Sequence, residues 1–372
     1  LKKILISAGE ESADFFAAGL AREIFKQQKG IKILGFGGEK MRQAGVDVRI
    51  NLVKHALIGF VEVLFNIGGI LKAYFNGLKI IREEKIDALI VLDYPGFHLK
   101  LIKSAKKTGV KKVIYYITPQ VWAWNYKRVN ELKKYIDLAI VILPFEKAIL
   151  EKEGIKAMYF GHPSAANIVN TRSGALKKPK GKTIGIFPGS RTREIRSLLP
   201  IMCEACRKIK SIFKDVKFII FKAGNIKPEL INSIIEKSGC RDVEIVDGGN
   251  MQMRKYIVAA IAKSGTVTLE LALLGIPELL IYKTNIISYF IGSFLAKVRF
   301  IGLANIILEK ETIKEFIQRD ANPNNICREA VRLLHEKKYV LEMKKNFAVL
   351  KKLVYKKDTM KNTAKAILQE IK

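Results

Sequence analysis

The sequence predicts an α/β protein built from two doubly wound domains in tandem, with a helical C-terminal segment. Three observations lead there. Short, β-branched, nearly continuous apolar runs alternate with helical patterns, as parallel strands covered on both faces do. The alternation stops at a polar, basic stretch punctuated by Gly and Pro, then resumes. The chain has 372 residues, more than one core usually fills.

The first series has strand-like runs at 3–7, 31–36, 86–92, 111–117 and 138–143, with helical patterns between them, among them 13–28 and 97–108. This βαβ order defines an N-terminal Rossmann-like domain at 1–169. Residues 170–182, N-T-R-S-G-A-L-K-K-P-K-G-K, read as a linker. Strand-like runs at 183–187, 216–222, 243–246, 257–262 and 278–282 then build a C-terminal Rossmann-like domain, 183–340. Residues 324–372 read as helical throughout, with 341–372 set apart as a terminal segment. There is no sequence repeat and no low-complexity tract.

Apolar residues make up 49% and charged residues 27%, which excludes a disordered tail protein. With 10 Pro and 4 Cys, a collagen-like or disulfide-stapled chain is excluded too. The charge is unusual: 66 Lys and Arg against 35 Asp and Glu, a net +31. Residues 1–164 carry net +11 and residues 165–372 net +20, so no single basic arm holds it. Such a balance suits nucleic acid, an acidic membrane surface or a phosphorylated substrate. A lysine-rich compositional habit explains it equally well.

Cys203, Cys206, Cys240 and Cys327 show no framework spacing, and the one C-x-x-C lies in a helical pattern without a second pair. Reduced packing cysteines are expected, and no metal site. The first residues run straight into a strand, so no signal peptide is expected. Two stretches, 56–81 and 286–308, are unusually apolar. Glu62, Lys72 and Lys79 interrupt one, Lys297 and Arg299 the other, so neither makes a good spanning helix. They suit a membrane interface, an acyl-chain groove or ordinary core helices.

Ligands of such sheets bind at the carboxyl ends of strands. Loop 7–14, S-A-G-E-E-S-A-D, offers Glu10 and Ser12, although Ser12 or Asp14 equally suits a helix cap. Asp93 ends an apolar strand before Pro95-Gly96 and is a candidate general base. His98 is its rival, or simply a polar residue starting a helix. Trp122 and Trp124, followed by Lys127 and Arg128, suit stacking on sugars or acyl chains beside phosphate, or plain core packing.

Gly189, Ser190 and Arg191 join a strand to a helix, an arrangement suited to a diphosphate. The Gly-Lys-Ser/Thr of an ATPase P-loop is missing. Ser264, Gly265 and Thr266 open another helix, with Glu270 one turn on and placed to accept ribose hydroxyls. Together these loops read as a nucleotide-diphosphate site without a metal.

Seven motifs now stand in order: A-G-E-E-S-A-D, V-L-D-Y-P-G-F, T-P-Q-V-W-A-W, L-P-F-E-K, F-G-H-P, F-P-G-S-R-T-R-E-I and K-S-G-T-V-T-L-E-L-A-L-L-G-I-P. The series resembles the lipid-A-disaccharide synthase family over nearly the whole chain. The resemblance implies the GT-B architecture, two Rossmann-like domains facing a cleft with the donor nucleotide held mainly by the C-terminal one. It implies an inverting hexosyl transfer from UDP-2,3-diacylglucosamine to 2,3-diacylglucosamine 1-phosphate. The products would be the β-1′,6-linked lipid A disaccharide 1-phosphate and UDP.

In that reading Asp93 is the base and Glu10 matches the first-loop glutamate. Arg191, with the Ser264–Thr266 helix start, neutralises the leaving diphosphate. Asn305, in G-L-A-N-I-I-L, matches a family asparagine. No cofactor is implied. The apolar stretch 56–81 would meet acyl chains at an anionic membrane, placing the protein in the cytoplasm, peripheral on the inner face of the inner membrane. The oligomeric state is left open.

The chain departs from the family pattern at Ala13 for glycine, Gly96 for a second aspartate, Ala304 for proline and Gln120 for serine. Rival readings on the same fold are the muramyl-pathway N-acetylglucosaminyltransferase and a UDP-sugar 2-epimerase. The first has a glycine-rich first loop with a histidine, and the second has no use for 56–81. A nucleic-acid binder lacks any RNP, zinc-finger or helix-turn-helix signature here.

Overall fold

The structure, a computed structural model, describes residues 2–55, 67–170, 181–240, 242–284 and 298–372. It divides into two compact units. One holds the chain up to Ala166 together with Val354–Lys372, and the other lies between Asn167 and Leu353.

Seven strands form the sheet of the first unit: β1 (Lys3–Ala8), β2 (Lys32–Gly37), β3 (Asp47–Asn51), β4 (Ala88–Leu92), β5 (Lys112–Tyr116), β6 (Leu138–Val141) and β7 (Ala157–Tyr159). Their order is β3-β2-β1-β4-β5-β6-β7, and all pairs are parallel. Side chains alternate across the pleat, so continuous apolar runs feed two cores. Ile4, Ile6, Ile90, Ile114 and Tyr116 face one, which the helix Glu11–Gln27 covers with Ala17, Leu20 and Ile24. Leu5, Leu89, Val91, Val113 and Tyr115 face the other, under Phe97, Leu101 and Ile102 of the helix Pro95–Lys107.

The second unit has β8 (Thr183–Phe187), β9 (Lys217–Lys222), β10 (Val243–Asp247), β11 (Ala259–Lys263), β12 (Glu278–Tyr282) and β13 (Lys314–Ile317). The order is β10-β9-β8-β11-β12-β13, again all parallel. Phe187 stacks flat on Phe221, centroids 4.5 Å apart, within a core shared with Ala260, Ala262 and Leu271. Each sheet reverses its winding once, between β1 and β4 and between β8 and β11. Those are the topological switch points, where loops diverge and leave room for a ligand.

The differences from expectation are local. Strands β3, β7 and β13 were not expected. All lie at sheet edges, and they are short or rich in charge, as edges are. The tail is not one segment. A helix Lys337–Val354 is followed, after left-handed Asp358, by Thr359–Glu370. Ala364 and Ile367 of that last helix complete the first unit's core. Glu370 accepts from Lys112 at 2.7 Å and Lys156 at 2.6 Å, which pins the helix to the sheet.

The four cysteines are free and buried, with Cys203 and Cys206 on the helix Thr192–Ile212. Among the described residues no cluster fit for a metal and no helix long and apolar enough to cross a membrane occurs. Of the apolar stretches, 56–66 and 286–297 lie outside the described residues.

One buried group opposes folding. Glu278 opens β12 at zero exposure, and neither carboxyl oxygen makes a hydrogen bond of normal geometry. Burial pushes its pKa well above the carboxylate range, against a weaker opposing effect of the Ala272 backbone. The unfolded chain therefore releases this proton before the folded protein does. The side chain's contribution is most favourable below the unfolded value of 4.5 and is lost as pH rises towards the folded value. Glu278→Met should raise stability by about 1–3 kcal/mol at neutral pH, with little gain at pH 4. Thermal melts at both pH values check this, and an equal or opposite shift would count against it.

Candidate active site

In the first unit the loops after β1 and β4 meet at the switch point. Asp93 and Tyr94 follow β4 with φ of 52° and 48°, both left-handed. That conformation costs a non-glycine residue about 1–2 kcal/mol and needs local compensation. The Asp93 N–H donates to the Ile117 carbonyl at 3.2 Å. The Asp93 carbonyl accepts from Tyr115 Oη at 2.8 Å and from His98 Nδ1 at 2.6 Å. Pro95 then starts the next helix with its fixed φ. The backbone of Asp93 is thus held on both sides and leaves its carboxylate half-buried at the strand end.

Tyr94 folds back over Gly9, where a Cβ would overlap its ring. Burial raises the Tyr94 phenol pKa, and the Glu10 charge raises it further, so Glu10 and the Asp93 loop are neighbours.

Several site residues move to other roles. Neither Ser12 nor Asp14 caps the first helix, since both lie inside it behind Glu10. Ser12 is exposed. Asp14 is buried and accepts the backbone N–H groups of Gly38 at 2.7 Å and Lys40 at 2.9 Å, tying two strand-end loops together. His98 has no exposure. Its Nε2 meets Ser7 Oγ at 2.8 Å, and burial lowers its pKa to about 4 despite the Asp93 hydrogen bond. Both ring nitrogens are engaged inside the protein, with Ser7 and the Asp93 carbonyl.

The tryptophans divide. Trp122 is half-buried, edge-on to Phe145, and donates Nε1 to Glu146 at 3.0 Å. Trp124 is 40% exposed, with the Arg128 guanidinium 4.5 Å from its ring centroid. Glu146 also accepts the Leu143 N–H at 3.0 Å. Burial lifts its pKa to about 7, with the Trp122 and backbone donors pulling the other way.

In the second unit Gly189 has φ 110°, and the space a Cβ would take there holds the Glu194 carboxylate. That carboxylate accepts Ser190 N–H at 3.2 Å and Arg191 Nη1 at 3.0 Å, and pairs with Lys263 Nζ at 2.9 Å. Burial would raise its pKa, but Lys263 and Arg191 outweigh burial and keep it low. One anion therefore holds two cations at the adjacent ends of β8 and β11.

Gly265 is exposed at the start of the helix Thr266–Leu273, flanked by half-buried Ser264 and Thr266. Glu270 accepts from Arg254 Nη1 at 2.6 Å. Arg254 is buried, bonds the Gly248 carbonyl at 2.6 Å and lies over the Phe187 ring.

Asn305 lies on the helix Leu303–Leu308. It has no exposure, its amide donates to Ile313 O at 2.7 Å and Glu315 at 2.8 Å, and its oxygen accepts from Thr312 and Ile313 N–H. It staples a loop and has no capacity left for a ligand.

Sequence reasoning did not single out Glu194, Lys263, Arg254 or Glu146. Glu194 lies one helical turn from Arg191 and Lys263 directly precedes Ser264, so both had a local signal. Arg254 reaches Glu270 across sixteen positions and had none.

The family model described as lipid-A-disaccharide synthetase matches residues 4–371. A lipid-A-disaccharide synthase from Geobacter sulfurreducens is 36% identical over 94% of this chain and 92% of its own length. One from Coxiella burnetii is 34% identical over 98% of each. Among solved structures, the S. aureus MnaA–UDP co-structure gives a TM-score of 0.69 at 14% identity, covering 100% of this chain and 96% of that one. Acinetobacter baumannii MurG gives 0.53 at 15% identity, covering 99% and 100%. At such identity these structures speak to the fold, a GT-B-like pair of Rossmann-like domains. The sequence matches speak to more: the chain belongs to the lipid-A-disaccharide synthase family, glycosyltransferases of lipid A biosynthesis.

Proposed function

We propose that this enzyme catalyses an inverting transfer of 2,3-diacylglucosamine from its UDP derivative to the 6-hydroxyl of 2,3-diacylglucosamine 1-phosphate. Asp93 takes the hydroxyl proton as the oxygen attacks the anomeric carbon. The bond to UDP breaks on the opposite side, and charge gathers on the departing diphosphate. Arg191 and the Ser264–Thr266 helix start neutralise it, and Glu270 holds the ribose. Glu10 assists beside Asp93. Trp124 offers its exposed face to sugar or acyl chain. The observation that carries the reading is Asp93, a carboxylate presented from a strained strand end at the switch point of its sheet.

The lipid substrates imply work at an anionic membrane surface, peripherally and on the cytoplasmic face. The helix Ile67–Glu83 supports this by exposing Leu71 at 47% and Phe75 at 64%, with Lys72 and Lys79 on the same helix. The net charge of +31 favours anionic lipid.

The experiment is a transferase assay with both acylated substrates, run with and without anionic vesicles. Disaccharide 1-phosphate and UDP should form, and the protein should sediment with the vesicles at low salt. Absence of turnover, or epimerisation of UDP-N-acetylglucosamine instead, sinks the functional reading. Failure to sediment sinks the membrane part alone.

A further inference from the structure

We infer that His98 is a positioning residue that sets the backbone of Asp93, acting with Tyr115 and Ser7 from beneath the strand end. The inference rests on the reading of Asp93 as the base. Three features carry it. Asp93 and Tyr94 both occupy the left-handed region, and neither is the glycine that adopts it without cost. The Asp93 carbonyl is gripped by two side-chain donors, His98 Nδ1 at 2.6 Å and Tyr115 Oη at 2.8 Å. The imidazole is walled in by Tyr94, Phe97 and Tyr115, with centroids 5.6 to 6.4 Å away and all nearly edge-on.

The proton inventory follows from the partners. A carbonyl oxygen only accepts, so Nδ1 carries the hydrogen. A buried neutral ring then leaves a lone pair on Nε2, and Ser7 Oγ–H donates to it at 2.8 Å. The chain Ser7→His98→Asp93 carbonyl has one direction, running from inside β1 to the residue just past β4. It fixes the peptide orientation after Asp93, and with it the direction in which the carboxylate leaves the strand end. His98 never touches substrate. It acts only through Asp93.

Two amide replacements separate this role from simple packing. Asparagine places a donor where Nδ1 stands, and glutamine places its amide where Nε2 stands. His98→Asn should keep kcat within about fivefold of wild type. His98→Gln should lower kcat about 100-fold with KM nearly unchanged, the size expected of a 1 Å misplacement. Tyr115→Phe, which removes the second donor and keeps the ring, should lower kcat about tenfold.

Thermal melts accompany each variant. If kcat follows melting temperature alone, or His98→Gln keeps the wild-type kcat, the inference is overturned. Should both His98 variants misfold, Tyr115→Phe decides, and full kcat there overturns it. Asp93→Asn separates the two claims. An active Asp93→Asn ends the base reading, whereas an inactive Asp93→Asn beside a fully active His98→Gln ends only this inference.

Discussion

Asp93→Asn should lower kcat by about 10²–10⁴-fold and leave both KM values within a factor of three, the usual cost of losing a general base. The substitution is nearly isosteric, and the contacts described for Asp93 run through its backbone: N–H to Ile117, carbonyl from Tyr115 and His98. None of these is lost in the variant. Asparagine also tolerates a left-handed φ of 52° better than most residues. With an unchanged melting curve, a fall in rate then reports the carboxylate's chemistry and not a collapsed loop. Asp93→Ala would mix the two, because alanine in that conformation adds strain. Initial rates at saturating substrates, with melting curves for both proteins, give the answer. A variant that folds and turns over at more than a tenth of the wild-type rate removes Asp93 as the base.

The sequence carried the sheets far better than the side-chain contacts. Central strands such as β4, A-L-I-V-L, are buried on both faces, and a continuous apolar run in a chain of this length has few other readings. Three of the four edges, β3, β7 and β13, were missed because an edge strand such as D-V-R-I-N need satisfy only one neighbour and keeps its charge. Glu10, Asp93, Arg191 and Ser264–Thr266 could be placed for the same reason as the strands: each follows a strand that could be read, and switch-point loops are where ligands bind. Glycine and proline marked the turns.

The burial of His98 and Asn305 was not legible, for the opposite reason. A polar residue near a site reads as functional, but its burial depends on side chains brought over from other elements. For His98 these are Ser7 and Tyr115, and for Asn305 the Glu315 carboxylate, joined by the Thr312 backbone N–H. The last helix shows the same limit. Its helical pattern was visible, but the pattern does not tell which core the helix closes.

Arg191→Ala should lower kcat/KM by about 10²–10³-fold, with most of the loss in kcat. The charge it meets grows as the bond to the diphosphate breaks, so the interaction is stronger in the transition state than with bound substrate. Arg191 is already oriented: Glu194 holds it at 3.0 Å and holds Lys263 at 2.9 Å on the same oxygen. Two cations share one carboxylate, and this leaves net positive charge at the ends of β8 and β11 for an incoming diphosphate. Lys263 survives in the variant, so ground-state affinity for UDP should fall only about tenfold or less, measured by calorimetry.

Arg191→Lys tests the geometry. It keeps the charge but loses the planar fork, so it should recover part of the UDP affinity while kcat stays at least about tenfold down. Glu194→Gln removes the anion that orients the pair and leaves the site more positive, so UDP affinity should hold or rise while kcat falls with the lost orientation of Arg191. If Arg191→Ala instead costs UDP affinity and leaves kcat intact, the cation pair serves donor capture alone. Leaving-group stabilisation must then come from the Ser264–Thr266 helix start.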